Sequence, residues 1–335
     1  AYEMSTGDWS SDVCSSDATD PLQLTGNELS QTIIGNAGDN ILNTGGGAAD
    51  VLRGSLGNDS YYVYNIYDRV YENRGEGIDH IFTTVNYAVA PNQEVEFLSV
   101  ADPNSTFTVN MSGNSFSQII TGNSGNNTIS TGGGSADTLI GGAGNDIYYL
   151  YNSADQVEET LGNGFDRIFT AVSYALAQGQ DIEMLSATSG PATAQINLFG
   201  NELSQRIIGN AGSNIIDGGG GSDILTGGAG ADSFIFNSPP TNNDVVTITD
   251  FEPSIDVLML NTNSFNGLPI GALSTAQFEA NSTGEATSET VRFSYDTATG
   301  KLWYDPDGNG QASPFHFADL SPELALSNAD FLVFS

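Results

Sequence analysis

The chain holds a single cysteine, Cys14, in 335 residues. That excludes an internal disulfide framework, so the fold must be stabilised in some other way. Basic residues are scarce too: 7 Lys+Arg stand against 41 Asp+Glu, for a net charge of −34 and a pI near 4.1. A field of that sign makes nucleic acid and anionic membrane surfaces poor partners. No apolar run approaches the ~18 residues that suggest a membrane-spanning helix. Only two histidines occur, and neither H-E-x-x-H nor G-x-S-x-G is present, so the zinc-protease and serine-hydrolase signatures are missing. Acidic pairs such as Glu158/Glu159 imitate a glycosidase dyad, but among 41 acidic residues such a pair carries no weight. No stretch shows the periodicity of an amphipathic helix.

What remains is acidic yet not polar throughout. Hydrophobic residues make up 39%, with 13 Tyr and 17 Phe, which argues against a disordered acidic chain. The better reading is a folded chain that needs cations.

The organising stretch is Gly209–Ile235, GNAGSNIIDGGGGSDILTGGAGADSFI, which divides into three nine-residue units. Each opens on a Gly-rich turn, where positive φ suits glycine. The sixth place holds Asn214, Asp223 and Asp232, and the eighth holds Ile216, Leu225 and Phe234. A turn, an oxygen ligand and one inward apolar residue form the G-G-x-G-x-D-x-U-x signature of a parallel β-roll.

The stretch has earlier relatives. Closely similar segments start at Gly26, Gly113 and Gly200, each 87 residues after the last. Each copy holds four nine-residue turns, with Thr44 and Thr131 as single extra residues in the first two. The sixth places run Gln31, Asn40, Asp50, Asp59, then Gln118, Asn127, Asp137, Asp146, then Gln205, Asn214, Asp223, Asp232. The similarity continues between clusters, where Asp68, Asp79 and Ile81 match Asp155, Asp166 and Ile168. The segments IFTTVNYAV and IFTAVSYAL are β-branched and aromatic, so they are read as further β coils on the same stack. Fixed-period self-similarity marks a solenoid.

These residues resemble the RTX (repeats-in-toxin) family of secreted calcium-binding proteins. The resemblance implies an all-β fold: a parallel β-roll of nonapeptide repeats in three copies, near 26–112, 113–199 and 200–236. It also implies that each ion sits between a turn and the turn two units on, pairing Gln31 with Asp50 and Asn40 with Asp59. Asp50 pairs forward with Asp68, and Asp137 with Asp155, by their eighteen-residue spacing. The expected calcium ligands are therefore Asp50, Asp59, Asp68, Asp137, Asp146, Asp155, Asp223 and Asp232, with Asn40, Asn127 and Asn214. Calcium takes six to eight oxygens, and an amide supplies oxygen without charge, so sites containing Gln are expected to be weak or empty. A site of about 0.1 mM affinity adds roughly 2.7 kcal/mol at about 10 mM calcium. Several such sites rival the stability of a whole domain, typically about 5–15 kcal/mol.

Three further segments are set apart. Ala1–Asp17 lacks apolar periodicity and resembles translated adapter sequence, so it reads as a non-native segment or a disordered linker. The chain opens on Ala1, which suggests the C-terminal part of something longer. After Phe236, the pair Pro239-Pro240 suggests a boundary, dividing a roll at 18–236 from a capping domain at 237–335. In that last region Val291–Tyr304 reads as a β-hairpin. The tail Asp330-Phe331-Leu332-Val333-Phe334 resembles a serralysin-type export signal; the plainer reading is an edge strand ending the domain, and the two are compatible. Asp305, Asp307 and Asn309 match the start of an EF-hand loop, but His316 stands at the twelfth position, and a tight turn is preferred. His80 is expected to be a tolerated surface residue.

The function expected from the sequence is a calcium-binding module of a larger secreted, extracellular protein. It would be exported by type I secretion machinery and would have no catalytic centre of its own. The alternatives are a structural region of an adhesin and a β-solenoid polysaccharide-modifying enzyme.

Overall fold

A computed structural model describes residues 19–188, 193–241 and 243–335. The expectation for Ala1–Asp17 lies outside them. The described residues are all β: they contain no α-helix, and their one helical element is the 3-10 turn Asn328–Asp330. The chain divides into two compact units, Ala1–Asp166 and Arg167–Ser335.

Both units contain a parallel β-solenoid built from strands of two to five residues, to which the second adds antiparallel strands near its C-terminal end. In a three-residue strand only the middle side chain points inward, so the eighth place of each nonapeptide becomes core. In the first unit an eight-stranded parallel sheet stacks Leu24, Leu42, Tyr61, Ile81, Leu98, Ile120, Leu139 and Val157 in register. From Leu42 to Leu139 this column is 0% exposed. Opposing ladders stack Ile33, Leu52 and Val70, and then Tyr87, Met111, Ile129 and Tyr148. Full burial of each such aliphatic side chain contributes about 1.5–3 kcal/mol. Successive strands alternate between faces, so two nonapeptides make one coil.

The strands Ser60–Val63 and Ile147–Leu150 start 87 residues apart, yet they belong to different ladders. They are the fifth and fourteenth strands, nine apart. An odd number of strands per period places equivalent residues of these two copies on opposite faces of the coil.

In the second unit one ladder runs Ile168, Leu185, Ile207, Leu225, Ile248 and the other Tyr174, Leu198, Ile216, Phe234, Leu258, Phe331. Pro239-Pro240 lies in the connection between strands, outside the ladders. Parallel pairing continues beyond it: Phe236 is opposite Leu260, and Leu225 is opposite Ile248. The hairpin Phe293–Asp296 with Lys301–Tyr304 forms as expected and pairs onward with Phe315–Asp319. Phe265, Phe293, Tyr304 and Phe317 pack there with ring centroids 5.1–6.0 Å apart. The tail strand Phe331–Phe334 is not an edge strand, because it pairs with Val257–Asn261 on one side and Gly271–Ala272 on the other.

Candidate metal centre

The turns explain why glycine is indispensable at particular places. Gly45, Gly46 and Gly47 all take positive φ (76°, 82° and 90°), a run closed to ordinary side chains. At Gly54 and Gly141 the reason is space. A Cβ on Gly54 would strike Asp59 Oδ2 and the Tyr61 hydroxyl, and one on Gly141 would strike Asp146 Oδ2 and the Tyr148 hydroxyl. These glycines leave a cradle into which a carboxylate oxygen points.

The sixth-place residues form ladders. In the first copy Gln31 N–H donates to Asp50 Oδ1 (2.7 Å) and Asp50 N–H to Asp68 Oδ1 (2.9 Å). On the other face Asn40 N–H donates to Asp59 Oδ1 (2.6 Å), Asp59 N–H to Asp79 Oδ1 (2.8 Å) and Asp79 N–H to Glu96 Oε2 (2.7 Å). The second copy repeats this with Gln118–Asp137, Asp137–Asp155, Asn127–Asp146 and Asp146–Asp166 at 2.6–3.1 Å. The second unit has Gln205–Asp223, Asn214–Asp232 and Asp232–Asp256 at 2.7–2.9 Å. The pairs expected to share an ion are thus neighbours on one ladder, joined by a backbone N–H donating to a carboxylate.

The contacts sort the aspartates into two kinds. Asp68 uses its second oxygen to accept from Tyr64 and Asn65 N–H, and Asp155 does the same for Tyr151 and Asn152. Asp256 is engaged likewise by Asp232 and Glu252 N–H. These three close the ladders as backbone caps. By contrast, Oδ2 of Asp50, Asp59, Asp79, Asp137, Asp146 and Asp223 is buried and accepts no hydrogen bond. A buried carboxylate oxygen without a partner is costly. Burial accordingly raises the pKa of Asp79, Asp137, Asp146 and Asp223 to about 7 and that of Asp232 to about 6, each opposed by the backbone N–H bond and assisted by a neighbouring aspartate. Hard oxygen donors in a glycine cradle suit a hard cation such as calcium, and the charge of that cation compensates the burial.

The amide turns have a different solution. Asn127 Oδ1 accepts from Asn123 N–H, while its Nδ2 donates to Val109 O (3.1 Å) and Asn123 Oδ1. Asn214 does the same with Asn210 and Ile196 O (2.6 Å). Gln118 Nε2 reaches Val95 O (3.0 Å). The amide N–H groups satisfy carbonyls of the preceding coil, so an ion has no vacant carboxylate to meet there. Asn40 is intermediate: its Nδ2 donates to Asp59 Oδ1 (2.9 Å) and its buried Oδ1 accepts nothing.

The structure also brings forward residues that the sixth-place register leaves out. Glu72 joins Asp59 and Asp79, and Glu159 joins Asp146 and Asp166; in each trio one oxygen per residue lies within 4.8 Å of the others. Asp79 and Asp166 end G-x-G-x-D runs at Gly75–Asp79 and Gly162–Asp166, a signal visible in the sequence. Glu72 and Glu159 are 87 residues apart, but no turn motif flags them. Burial, followed by the negative neighbours, raises Glu72 to about 10. Burial also raises Glu159, to about 8, against the opposing bond from Tyr148.

The segment Asp305–Asn309 is a turn between antiparallel strands. Asp307 Oδ2 accepts from Gln311 and Ala312 N–H, Asp305 Oδ1 accepts from Asp307 N–H, and Asn309 binds Ser288 and Thr287 carbonyls. His80 differs from the surface residue expected: it is half-buried, stacked on Phe82 at 3.8 Å, with Nε2 2.9 Å from Ser99 Oγ. Burial lowers its pKa to about 4. No helix among the described residues is long and apolar enough to cross a membrane.

Comparison with known proteins agrees with this geometry. The RTX calcium-binding nonapeptide repeat matches four times, at residues 25–61, 112–148, 121–157 and 199–234. The chain is also 40% identical over 81 residues to the endo-1,3-1,4-beta-glycanase ExsH of Rhizobium meliloti (strain 1021). That match covers 24% of this chain and 16% of the relative.

Proposed function

We propose that this chain, an RTX calcium-binding β-roll protein, is a module that folds on binding calcium outside the cell and supports a larger type I-secreted exoprotein. The observation that carries this reading is the row of buried carboxylate oxygens with no hydrogen-bond partner, set in glycine cradles. In the low-calcium cytosol these carboxylates repel one another and lack compensation, so the chain stays unfolded and exportable. Outside the cell, calcium supplies the missing charge. Far-UV circular dichroism in EGTA and then in excess calcium tests the folding step, and a β spectrum that is unchanged in EGTA contradicts it.

The export role is assigned to the C-terminal region, 237–335, through the acidic-then-apolar tail. Because Phe331 and Val333 are also core residues, 1% exposed, deleting the tail damages both fold and signal. Fusion of 237–335 to an unrelated passenger separates the two. Export of the passenger through a type I system supports the role, and its retention refutes it.

The chain itself is proposed to be non-catalytic, with any enzymatic activity residing in another part of the exoprotein. The match to a glycanase favours a polysaccharide-active enzyme as the second reading. Hydrolysis of a mixed 1,3-1,4-β-glucan by this chain alone would establish that alternative.

A further inference from the structure

We infer that Glu72 and Glu159 complete two interior calcium sites that differ from the nonapeptide sites in carrying three carboxylates each. This rests on the calcium reading above and goes beyond its turn-to-turn ligands. In the first trio Asp59 and Asp79 come from successive turns on one face, while Glu72 reaches in from the coil segment between them. Glu72 is 0% exposed, and neither of its oxygens has a hydrogen-bond partner. The Tyr61 hydroxyl, also 0% exposed and without a partner, converges with Asp59 Oδ2 on the cradle at Gly54. The three carboxylates thus converge, and Asp59 Oδ2, Asp79 Oδ2, both Glu72 oxygens and the Tyr61 hydroxyl are buried without a hydrogen-bond partner. Among the described residues, no Lys, Arg or His forms an ion pair with Asp59, Glu72 or Asp79.

The second trio lies around Gly141, where Asp146 Oδ2 is buried without a partner and the Tyr148 hydroxyl donates to Glu159 Oε1. In both copies the phenol oxygen lies at the glycine cradle, without a partner at Tyr61 and bonded to the glutamate at Tyr148.

The chemistry selects the ion. All donors are oxygens, which excludes a thiolate or imidazole metal site. A set of three carboxylates suits calcium, which takes six to eight oxygens at about 2.3–2.6 Å in flexible geometry, better than magnesium, which keeps several waters and is usually held by one or two carboxylates. Affinity in calcium sites rises with ligand charge, so these two sites fill before those with one free aspartate, at roughly tenfold lower calcium.

Calorimetric titration of the full chain with calcium tests this. Two ions in the tightest class are expected. Glu72→Gln removes one, Glu72→Gln/Glu159→Gln removes both, and Asp223→Asn leaves that class intact. A double variant that keeps two tightest ions overturns the inference. Should the glutamine variants fail to fold in saturating calcium, terbium-soaked crystals of the unaltered chain decide the matter. An anomalous peak bonded to Glu72 and Glu159 supports the inference, whereas peaks at Asp223 or Asp137 with none at the trios overturn it alone. Absence of any bound ion overturns the calcium reading as well.

Discussion

Two turns of the same copy, one coil apart, meet the same need differently. At Asn127 the side-chain amide donates to Val109 O and accepts from Asn123 N–H, so the turn is closed by the protein itself. At Asp146 the carboxylate caps Asn127 N–H with one oxygen and leaves the other buried and bare. The second unit repeats the amide closure at Asn214. The amide turns at Asn127 and Asn214 are thus closed by the protein itself, whereas turns such as Asp146 and Asp223 leave a buried carboxylate oxygen without a partner, with Asn40 between the two. Under the calcium-dependent folding proposed above, the amide turns would offer a template without calcium and the carboxylate turns would make completion conditional on it.

The largest effect is expected from removing both the cap and the ligand. Asp146→Ala leaves Asn127 N–H unsatisfied and deletes a proposed calcium ligand, for a loss of about 3 kcal/mol or more in urea unfolding with calcium present. Adding a methyl to the cradle comes next. Gly141→Ala drives a Cβ into Asp146 Oδ2 and the Tyr148 hydroxyl, costing about 1–3 kcal/mol and weakening calcium binding in the same titration. A direct exchange sharpens the contrast. Asp223→Asn keeps the oxygen that caps Gln205 N–H but removes the charge, so the chain binds less calcium and unfolds later in EGTA than the parent.

Acidity probes the same contrast through protons. Asp137, Asp146 and Asp223 titrate near 7 in the folded calcium-free chain, against 3.8 ordinarily. The folded state therefore holds protons that the unfolded chain has released. Calcium-free stability is fully present below about pH 4 and falls as pH rises to about 7, while calcium affinity grows over that window. Thermal melts in EGTA at pH 5 and pH 8 check the direction. The smallest effect is expected at Asp307→Asn, where backbone N–H groups already occupy the carboxylate: calcium stoichiometry should not change.

The eighth-place apolar residues and the sixth-place ladder were legible in the sequence because both follow from a strict short period. Leu42, Tyr61 and Ile81 become core because alternation in a three- or four-residue strand leaves them no other direction. Other features depend on the coil closing in space. Asp59 and Asp79 are twenty residues apart, which breaks the eighteen- or nineteen-residue rule, and Glu72 approaches from the opposite side of the coil. Spacing also could not show that Asp68 and Asp155 have both oxygens taken by backbone N–H groups. The half-buried stacking of His80 arises from the neighbouring strands that bring Phe82 and Ser99 beside it.

The most direct test of the difference between amide and carboxylate turns is segment-resolved hydrogen exchange at pH 8, in saturating and in limiting calcium. At calcium just short of saturation, before full chelation unfolds the chain, exchange across Ile147–Leu150, beside Asp146, should be speeded by roughly tenfold more than across Ile119–Thr121, beside Gln118. An equal change in the two segments, or none in either, would contradict the account.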